Sequence, residues 1–470
     1  MTSFVLAVVV ALLALVAVKA LYGMFISFAL AEDPRADELH MVDTDDRWQV
    51  RLARYRPEGN EGEPVLVVPG VCGNQFSLTS PEGDSLVDAL REHGFDCWVI
   101  DLRGSRSSQA PLGKSRFSAT FDDYLQYDLP AAIDFIRRTT GFRQVHWVGH
   151  SMGGMLLYAY ELMHTDKFLA SGTTLAAPPG FANVKLRRPN FQLSLLSAIP
   201  GICEIYLRAV APLIPLVAPL VPSSRLNTPI DPISWPNMHK RVNAAVFFNM
   251  LEMIPPRVAD TLSLAAAKNQ LRVNDGQADY ISGLKTLQVS LLCVYAANDP
   301  FIPQDNAHAF FEALPKNDKE ILTLSKANGC EQDYGHVDVV LGANGRNEVY
   351  GRVANWLDAH SSVGKLSTVD SEGLVNAKPG GDASWRKALR RAADVMSDFA
   401  VGTVVKTSPR KTAAKSVKAK AAPKKKKSAA KKTASKKKAP TKKSSAKKKA
   451  AAKKPAAKKK TAAKKKAAAK

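Results

Sequence analysis

The chain has 470 residues and a formal net charge of +23, and it is 46% hydrophobic and 23% charged. The charge is uneven, because residues 401–470 hold 29 of the 66 Lys and Arg residues and no Asp or Glu. The first 400 residues therefore contain 37 basic and 43 acidic residues. This balance excludes a uniformly basic protein. It predicts a mildly acidic globular part followed by a separate cationic tail.

The N-terminus begins with fifteen uninterrupted apolar residues, 4–18, and Lys19 follows them. A helix of about twenty residues here would nearly cross a ~30 Å hydrocarbon layer, with Lys19 at one interface. A secretory signal is the alternative, since Ala29-Leu30-Ala31 resembles a cleavage site, but no basic residue precedes the apolar run. We predict an uncleaved transmembrane anchor over residues 1–30.

This anchor implies a single-pass membrane protein, with a polar, acidic stalk over residues 31–45. The globular part and the tail then lie on the same side of the membrane. The five cysteines are widely spaced and form no C-x-x-C pair, which argues against a zinc site and favours buried free thiols. This cysteine usage favours a reducing compartment, and hence the cytoplasmic side.

From Arg47 the pattern is globular, and apolar strand-like runs alternate with helix-like stretches. Several of these runs are apolar on both faces, as strands of a helix-covered parallel sheet are. The predicted strands are PVLVVPG (64–70), DCWVID (96–101), VHWVG (145–149), LASGTTLAAP (169–178), VSLLCVYAA (289–297) and EILTLS (320–325). The predicted helices cover 85–94, 127–141, 152–163 and 346–360. The alternation predicts an α/β fold with a mainly parallel sheet over residues 46–360.

The alternation breaks at about residues 180–285, which are rich in apolar residues and proline before helical stretches near 243–252 and 258–268. We predict an insertion that forms a helical cap over the carboxyl edge of the sheet. Its apolar composition favours a cover over an apolar site or a membrane-facing surface. A plain helical layer is the remaining alternative.

The C-terminal part divides into three segments. Residues 361–383 form a predicted linker, and residues 384–400 form a possible amphipathic helix. Residues 401–470 are a Lys/Ala-rich tail that cannot bury a core and is predicted to be disordered. The tail resembles the C-terminal tails of linker histones. Its lysines could bind nucleic acid without sequence specificity, or anionic lipid.

The stretch GHSMG satisfies the pattern G-x-S-x-G at Gly149, Ser151 and Gly153. A serine hydroxyl becomes a nucleophile when a positioned base removes its proton. The glycines permit the sharp strand-to-helix turn that exposes the serine. Here the pattern follows a predicted strand and opens a predicted helix. We therefore predict that Ser151 is a nucleophile at the apex of this elbow.

A base and an orienting acid follow Ser151 in the order Ser, Asp, His that this arrangement requires. Asp299 follows a predicted strand, and His336 lies in the loop before the last helix. Asp338 ranks far lower as the acid, because it is too near His336 in sequence to orient it easily. Six other histidines, which flank Ser151 or follow it, are more plausibly structural or lie in the wrong connection; these are His146, His150, His164, His239, His308 and His360.

The oxyanion formed during acyl transfer needs two backbone N–H donors. Met152, the residue after the nucleophile, supplies one of them. Val71, in the loop after the first predicted strand, is the natural choice for the second. Neither a metal nor an organic cofactor is implied by this chemistry.

Several of these motifs, in this order, resemble the α/β-hydrolase superfamily, and especially its acid-lipase and esterase-like branches. They are VLVVPGVCGN, GFDCWVIDLRGSRSS, FDDYLQYDLPAAIDFI, GHSMGG, AANDPFIP and YGHVDVVLG. The resemblance implies that Ser151 is the nucleophile, His336 the base and Asp299 its orienting acid. One departure is Pro69-Gly70, where many relatives carry His-Gly. A distant resemblance to polyhydroxyalkanoate synthases also exists, but those enzymes use cysteine where this chain has Ser151.

The predicted function is hydrolysis of a carboxylic ester through an acyl-enzyme, with a lipid or another apolar acyl ester as substrate. An acyltransferase that uses the same residues is the first alternative, since only the acceptor differs. A tethering protein is the second alternative. In that case the hydrolase-like part is inert and the polybasic tail does the binding.

Overall fold

The computed structural model describes residues 17–18, 21–59, 62–164, 167–181, 204, 207–217, 233–274, 276–315 and 318–361. Residues 362–470, which contain the predicted amphipathic helix and tail, lie outside these ranges. Residues 1–16 and 19–20 of the predicted anchor also lie outside them.

The predicted single-pass membrane localisation is contradicted by this structure. Within the described ranges, no helix combines the length and the apolar character that a membrane span requires. The described part of the predicted anchor includes a helical segment over residues 21–30, which is about half of a spanning length.

Eight of the ten strands in the described ranges form one sheet in the order β1-β2-β4-β3-β5-β6-β9-β10. Its bounds are β1 Glu38–Asp43, β2 Gln49–Tyr55, β3 Pro64–Val68, β4 Asp96–Asp101, β5 Val145–His150, β6 Leu169–Leu175, β9 Leu291–Ala296 and β10 Lys319–Leu324. β1 and β2 pair in antiparallel fashion, as do β2 and β4, and all other pairs are parallel. β7 Arg272–Val273 and β8 Ala278–Asp279 form a separate small hairpin. The predicted α/β fold with a mainly parallel sheet is confirmed.

The boundary predicted at residue 46 is wrong, because the sheet begins earlier. Residues 38–43, assigned to a stalk, form the edge strand β1. A charged residue of β1 is paired with the neighbouring strand, since the Glu38 carboxylate accepts a hydrogen bond from Arg54 on β2 at 3.2 Å. Val42 of the same strand is buried. An edge strand tolerates such polar residues, and its composition therefore resembles that of a loop.

The helices lie between the strands and pack against the sheet. With residues 21–30 as α1, they are α2 Phe76–Thr79, α3 Leu86–Glu92, α4 Phe121–Asp123, α5 Leu129–Thr140, α6 Met152–Met163, α7 Ile214–Val217, α8 Ala244–Met250, α9 Pro256–Lys268, α10 Tyr280–Gly283, α11 Gln304–Ala313, α12 Asp338–Leu341 and α13 Gly351–Ala359. Turns of π-helix, Tyr124–Asp128 and Arg346–Tyr350, precede α5 and α13.

Local sequence signals account for the ends of several helices. α3 begins with a capping box, in which Ser85 and Asp88 satisfy each other's backbone N–H groups. α5 ends at Gly141, whose φ of 75° places it in the left-handed region that glycine adopts without strain. The first signal sets where α3 begins, and the second sets where α5 stops before β5.

The chain between β6 and β9 holds α7 to α10 and the β7-β8 hairpin, at the position of the predicted cap insertion. Much of this stretch, residues 182–203 and 218–232 in particular, lies outside the described residues. In the described part, Phe247 of α8 and Val258 of α9 are buried and belong to the same hydrophobic core as the strands. The described cap elements therefore share one hydrophobic core with the eight-stranded sheet.

Candidate active site

Ser151 lies in the sharp turn that joins β5 to α6. Its backbone has φ 52° and ψ −116°, a strained conformation for a residue that carries a Cβ. The Ser151 N–H donates to the Leu175 carbonyl oxygen at the end of β6, at 2.8 Å. This bond fixes the turn to the neighbouring strand. Ser151 thus lies at the carboxyl edge of the sheet, directly after β5.

The glycines on either side of Ser151 are required by close packing. A Cβ on Gly149 would lie 2.4 Å from the Gly153 carbonyl, and a Cβ on Gly153 would lie 2.2 Å from the Val68 carbonyl oxygen. Real Cβ atoms do not approach other atoms this closely. The glycine spacing predicted from sequence thus allows α6 to begin directly against β3 and β5.

Ser151, His336 and Asp299 are joined in one hydrogen-bonded chain. Ser151 Oγ lies 2.8 Å from His336 Nε2, and His336 Nδ1 lies 2.7 Å from Asp299 Oδ2. A carboxylate can only accept, so Nδ1 carries the proton and Nε2 presents a lone pair to the serine hydroxyl. All three residues are 6–7% exposed. This geometry can transfer the serine proton to the imidazole.

Asp299 and His336 reach Ser151 from separate elements. Asp299 follows β9 and accepts a further hydrogen bond from the Phe301 N–H through Oδ1, at 2.8 Å. His336 lies in the loop between β10 and α12, and the Phe301 ring lies nearly perpendicular to its imidazole, at 4.8 Å between centroids. The turn after β9 therefore carries both the carboxylate and the aromatic ring that contact the imidazole.

The two predicted oxyanion donors lie beside Ser151. Met152 is the first residue of α6, where a backbone N–H has no partner within the helix. Val71 belongs to the loop after β3, and a Cβ on the adjacent Gly70 would lie 3.1 Å from Ser151 Cβ. Val71 and Met152 line one small cavity of about 30 Å³. The loop can come this close to Ser151 because residue 70 is a glycine and has no side chain.

The carboxylate of Asp338, the lower-ranked candidate acid, is hydrogen-bonded to groups other than His336. Its carboxylate accepts from the Gly335 N–H at 2.9 Å, from Asn237 Nδ2 at 2.9 Å and from the Ser234 N–H at 3.2 Å. Burial raises its pKa, and these hydrogen bonds oppose the rise. Asp338 therefore ties the loop of His336 to the cap and does not orient the imidazole.

His150 has a role in the site that the sequence reasoning missed. Its Nε2 lies 3.0 Å from the His336 carbonyl oxygen, which can only accept, so Nε2 carries a proton. Burial lowers the pKa of His150 to about 3, and the nearby His336 adds to this effect. A neutral His150 thus holds the backbone of His336. The only local signal for it is its place directly before Ser151.

His146 differs from His150, although both lie on β5. It is buried between Ser171 Oγ at 2.8 Å and Glu63 Oε2 at 2.9 Å. These partners lie away from Ser151 and satisfy both ring nitrogens. Its assignment as a structural residue agrees with these contacts.

Comparisons with known proteins match a family model described as "alpha/beta hydrolase fold" to residues 63–195. Triacylglycerol lipase 2 of Arabidopsis thaliana is 33% identical over 137 residues, which are 26% of this chain and 32% of that protein. The chain thus spans about a third of the length of this relative. The poly(3-hydroxyalkanoate) polymerase subunit PhaC of Haloferax mediterranei is 21% identical over 350 residues, which are 69% of this chain and 65% of that protein.

Among solved structures, one from a study of carboxylesterases of Nitrososphaera gargenis matches with a TM-score of 0.46 and 16% identity. It covers 68% of this chain and 98% of its own. The chain is thus similar to proteins of the alpha/beta hydrolase fold over residues 63–195 and to a lipase over about a quarter of its length, and its mainly parallel sheet flanked by helices has this fold.

Proposed function

We propose that this protein is a serine hydrolase that cleaves carboxylic esters through an acyl-enzyme. The observation that carries the proposal is the hydrogen-bonded chain from Ser151 Oγ through His336 to the buried Asp299 carboxylate. The strained backbone of Ser151 supports it, because such strain persists where the surrounding structure maintains it for function. The lipase names of the relatives favour an ester as substrate.

The proposed reaction begins when Ser151 Oγ attacks the ester carbonyl carbon while His336 Nε2 takes the hydroxyl proton. The backbone N–H groups of Val71 and Met152 stabilise the oxyanion that forms. His336 then returns the proton to the leaving alkoxide, and the alcohol departs. Water attacks the acyl-enzyme with His336 again as base, which releases the carboxylic acid and restores Ser151. Asp299 stabilises the imidazolium in both halves.

We propose an apolar acyl ester as the substrate class. The small cavity beside Val71 and Met152 has Leu102, Ile254 and Val258 among its lining residues. These apolar side chains lie beside the proposed oxyanion donors and favour an acyl or alkyl group there, although Arg103 and Glu252 line the same cavity. The lipase names among the relatives point to the same class.

A fluorophosphonate probe and a panel of p-nitrophenyl esters test the proposal. The full-length protein should label at one serine and turn over esters, and Ser151→Ala should lose both signals. Ser118→Ala, which changes an exposed serine, is the matched control and should behave as wild type. A folded wild-type protein that neither labels nor hydrolyses any ester of the panel would contradict the proposal.

An acyltransferase remains the second candidate, because the polymerase subunit from Haloferax aligns over 69% of this chain. The same acyl-enzyme would then pass its acyl group to an alcohol in place of water. Product analysis with added alcohol acceptors distinguishes the two activities. A dominant ester product at low acceptor concentration favours the transferase, and free acid as the main product favours the hydrolase.

A further inference from the structure

The loop that carries Val71 is fastened to the cap. Within this loop, residues 70–75, Cys72 has a φ of 59°, which is strained for a residue with a side chain. The Cys72 carbonyl oxygen accepts from the Glu252 N–H at 2.9 Å. Glu252 follows α8, in the insertion between β6 and β9. A contact from the cap thus holds the strained residue next to the proposed oxyanion donor.

The Glu252 side chain strengthens this connection. Asn74 Nδ2 donates to Glu252 Oε1 at 2.8 Å and to the Asn249 carbonyl oxygen at 2.7 Å. Asn74 and Glu252 are 3% and 5% exposed. The side-chain amide of Asn74 therefore bonds to the cap at a place that solvent does not reach. We call residues 70–75, which include Asn74 and Val71, the oxyanion loop. Such buried hydrogen bonds are costly to leave unmade.

Arg106 completes the arrangement from the loop after β4. Its Nε donates to Glu252 Oε1 at 3.2 Å, its backbone N–H donates to Oε2 at 3.3 Å, and Nη2 donates to the Asn249 carbonyl oxygen at 2.8 Å. Glu252 thus receives donors from two sides, from the oxyanion loop and from the loop after β4. The Glu252 carboxylate is the acceptor in each of its own bonds. A glutamine amide in its place would turn its NH₂ group, which is itself a donor, towards at least one of these donors.

We propose that Glu252 is a positioning residue for the oxyanion hole, which it acts on through Asn74 and the backbone of Cys72. The Val71 N–H is one residue from Cys72, and a donor helps the reaction only when it points at the developing oxyanion. The cap is then a part of the catalytic arrangement as well as a cover. This inference rests on the proposed ester hydrolysis.

The test compares Glu252→Gln with Glu204→Gln in the full-length protein. Glu204 is also a cap carboxylate, but it pairs with Arg116. We expect Glu252→Gln to lower kcat about 10- to 100-fold with KM within about 2-fold, because a displaced donor affects the transition state most. Affinity for a trifluoromethyl ketone, whose adduct with Ser151 carries an oxyanion, should fall by a similar factor. Glu204→Gln should leave all three values near wild type.

Asn74→Ala is the second variant. It removes the side-chain link between the loop and Glu252 but leaves the pair of Glu252 and Arg106, so the same loss of kcat and ketone affinity is expected. Wild-type kcat in folded Glu252→Gln, or in folded Asn74→Ala if Glu252→Gln does not fold, would overturn the inference. So would a lower kcat with unchanged ketone affinity. A wild-type protein without esterase activity or probe labelling counts against the proposed function instead.

Discussion

The Asp299 carboxylate lies 2.7 Å from His336 Nδ1, although 37 residues separate the two in the chain. Asp338 is only two residues from His336, yet its carboxylate bonds to Gly335, Asn237 and Ser234. Distance in sequence therefore does not decide which carboxylate contacts the His336 imidazole. The contact is decided by the fold, in which the end of β9 and the loop after β10 lie side by side.

The two acids should respond differently to the loss of their charge. We expect Asp299→Asn to lower kcat by about 10³- to 10⁴-fold, because an amide can hold the imidazole in the wrong tautomer. Asp338→Asn should instead reduce the free energy of unfolding by about 1–3 kcal/mol, because a buried acceptor of several hydrogen bonds is lost. Steady-state kinetics and urea unfolding of both variants measure the contrast. Equal kinetic defects at constant stability would contradict it.

Gly149 should not tolerate a side chain. Its Cβ would lie 2.4 Å from the Gly153 carbonyl, so Gly149→Ala should cost about 3 kcal/mol or more of the free energy of unfolding. Gly351→Ala is the matched control, because the nearest atom to its Cβ is the Arg346 carbonyl oxygen at 3.7 Å. Alanine in that helix should be neutral or stabilise by up to about 1 kcal/mol. Urea midpoints that do not differ between the two variants would refute the packing argument.

The hydrogen bond from His150 to the His336 backbone should matter for catalysis. His150→Leu removes the donor at similar volume, and we expect kcat to fall about 10-fold as the His336 loop loses its support. His150→Gln keeps an N–H donor and should recover most of that loss. The rate of fluorophosphonate labelling gives an independent measure of the same effect. Equal kcat values for the two variants would show that the donor is not needed.

Burial of His150 should also make stability depend on pH. The pKa of His150 is about 3 in the folded protein, against 6.5 for the unperturbed group. The unfolded chain therefore binds a proton between these values while the folded protein does not. The stabilisation is complete above pH 6.5 and is lost as the pH falls towards 3. This group alone should remove about 2 kcal/mol of unfolding free energy between pH 7 and pH 5.

Urea unfolding of His150→Gln at both pH values checks this expectation. The variant should lose about 2 kcal/mol less than wild type on going from pH 7 to pH 5. His308→Gln, which changes an exposed histidine on α11, controls for the removal of a histidine as such. The same pH dependence in wild type and His150→Gln would count against a neutral, buried His150.

The sequence alone was sufficient for the parts of this protein that depend on local chemistry. β4 and α6 lie at the predicted residues, because an apolar run or a glycine-bounded helix is a local pattern. The elbow at Ser151 follows from the same local patterns, since its glycines are needed for the sharp turn itself. The candidate acid and base could also be named, because they follow strands in a fixed order.

Tertiary structure decided what joins residues that are remote in the chain. Strand β1 was missed because its polar side chains find partners only once β2 lies beside it. The supporting contacts were equally invisible: His150 meets a residue 186 positions away, and Asn74 meets Glu252 across 178. Such contacts depend on how the folded helices, strands and loops pack against each other, and no sequence periodicity or motif encodes them. The candidate nucleophile was thus evident from sequence, whereas the groups that hold its surroundings in place were not.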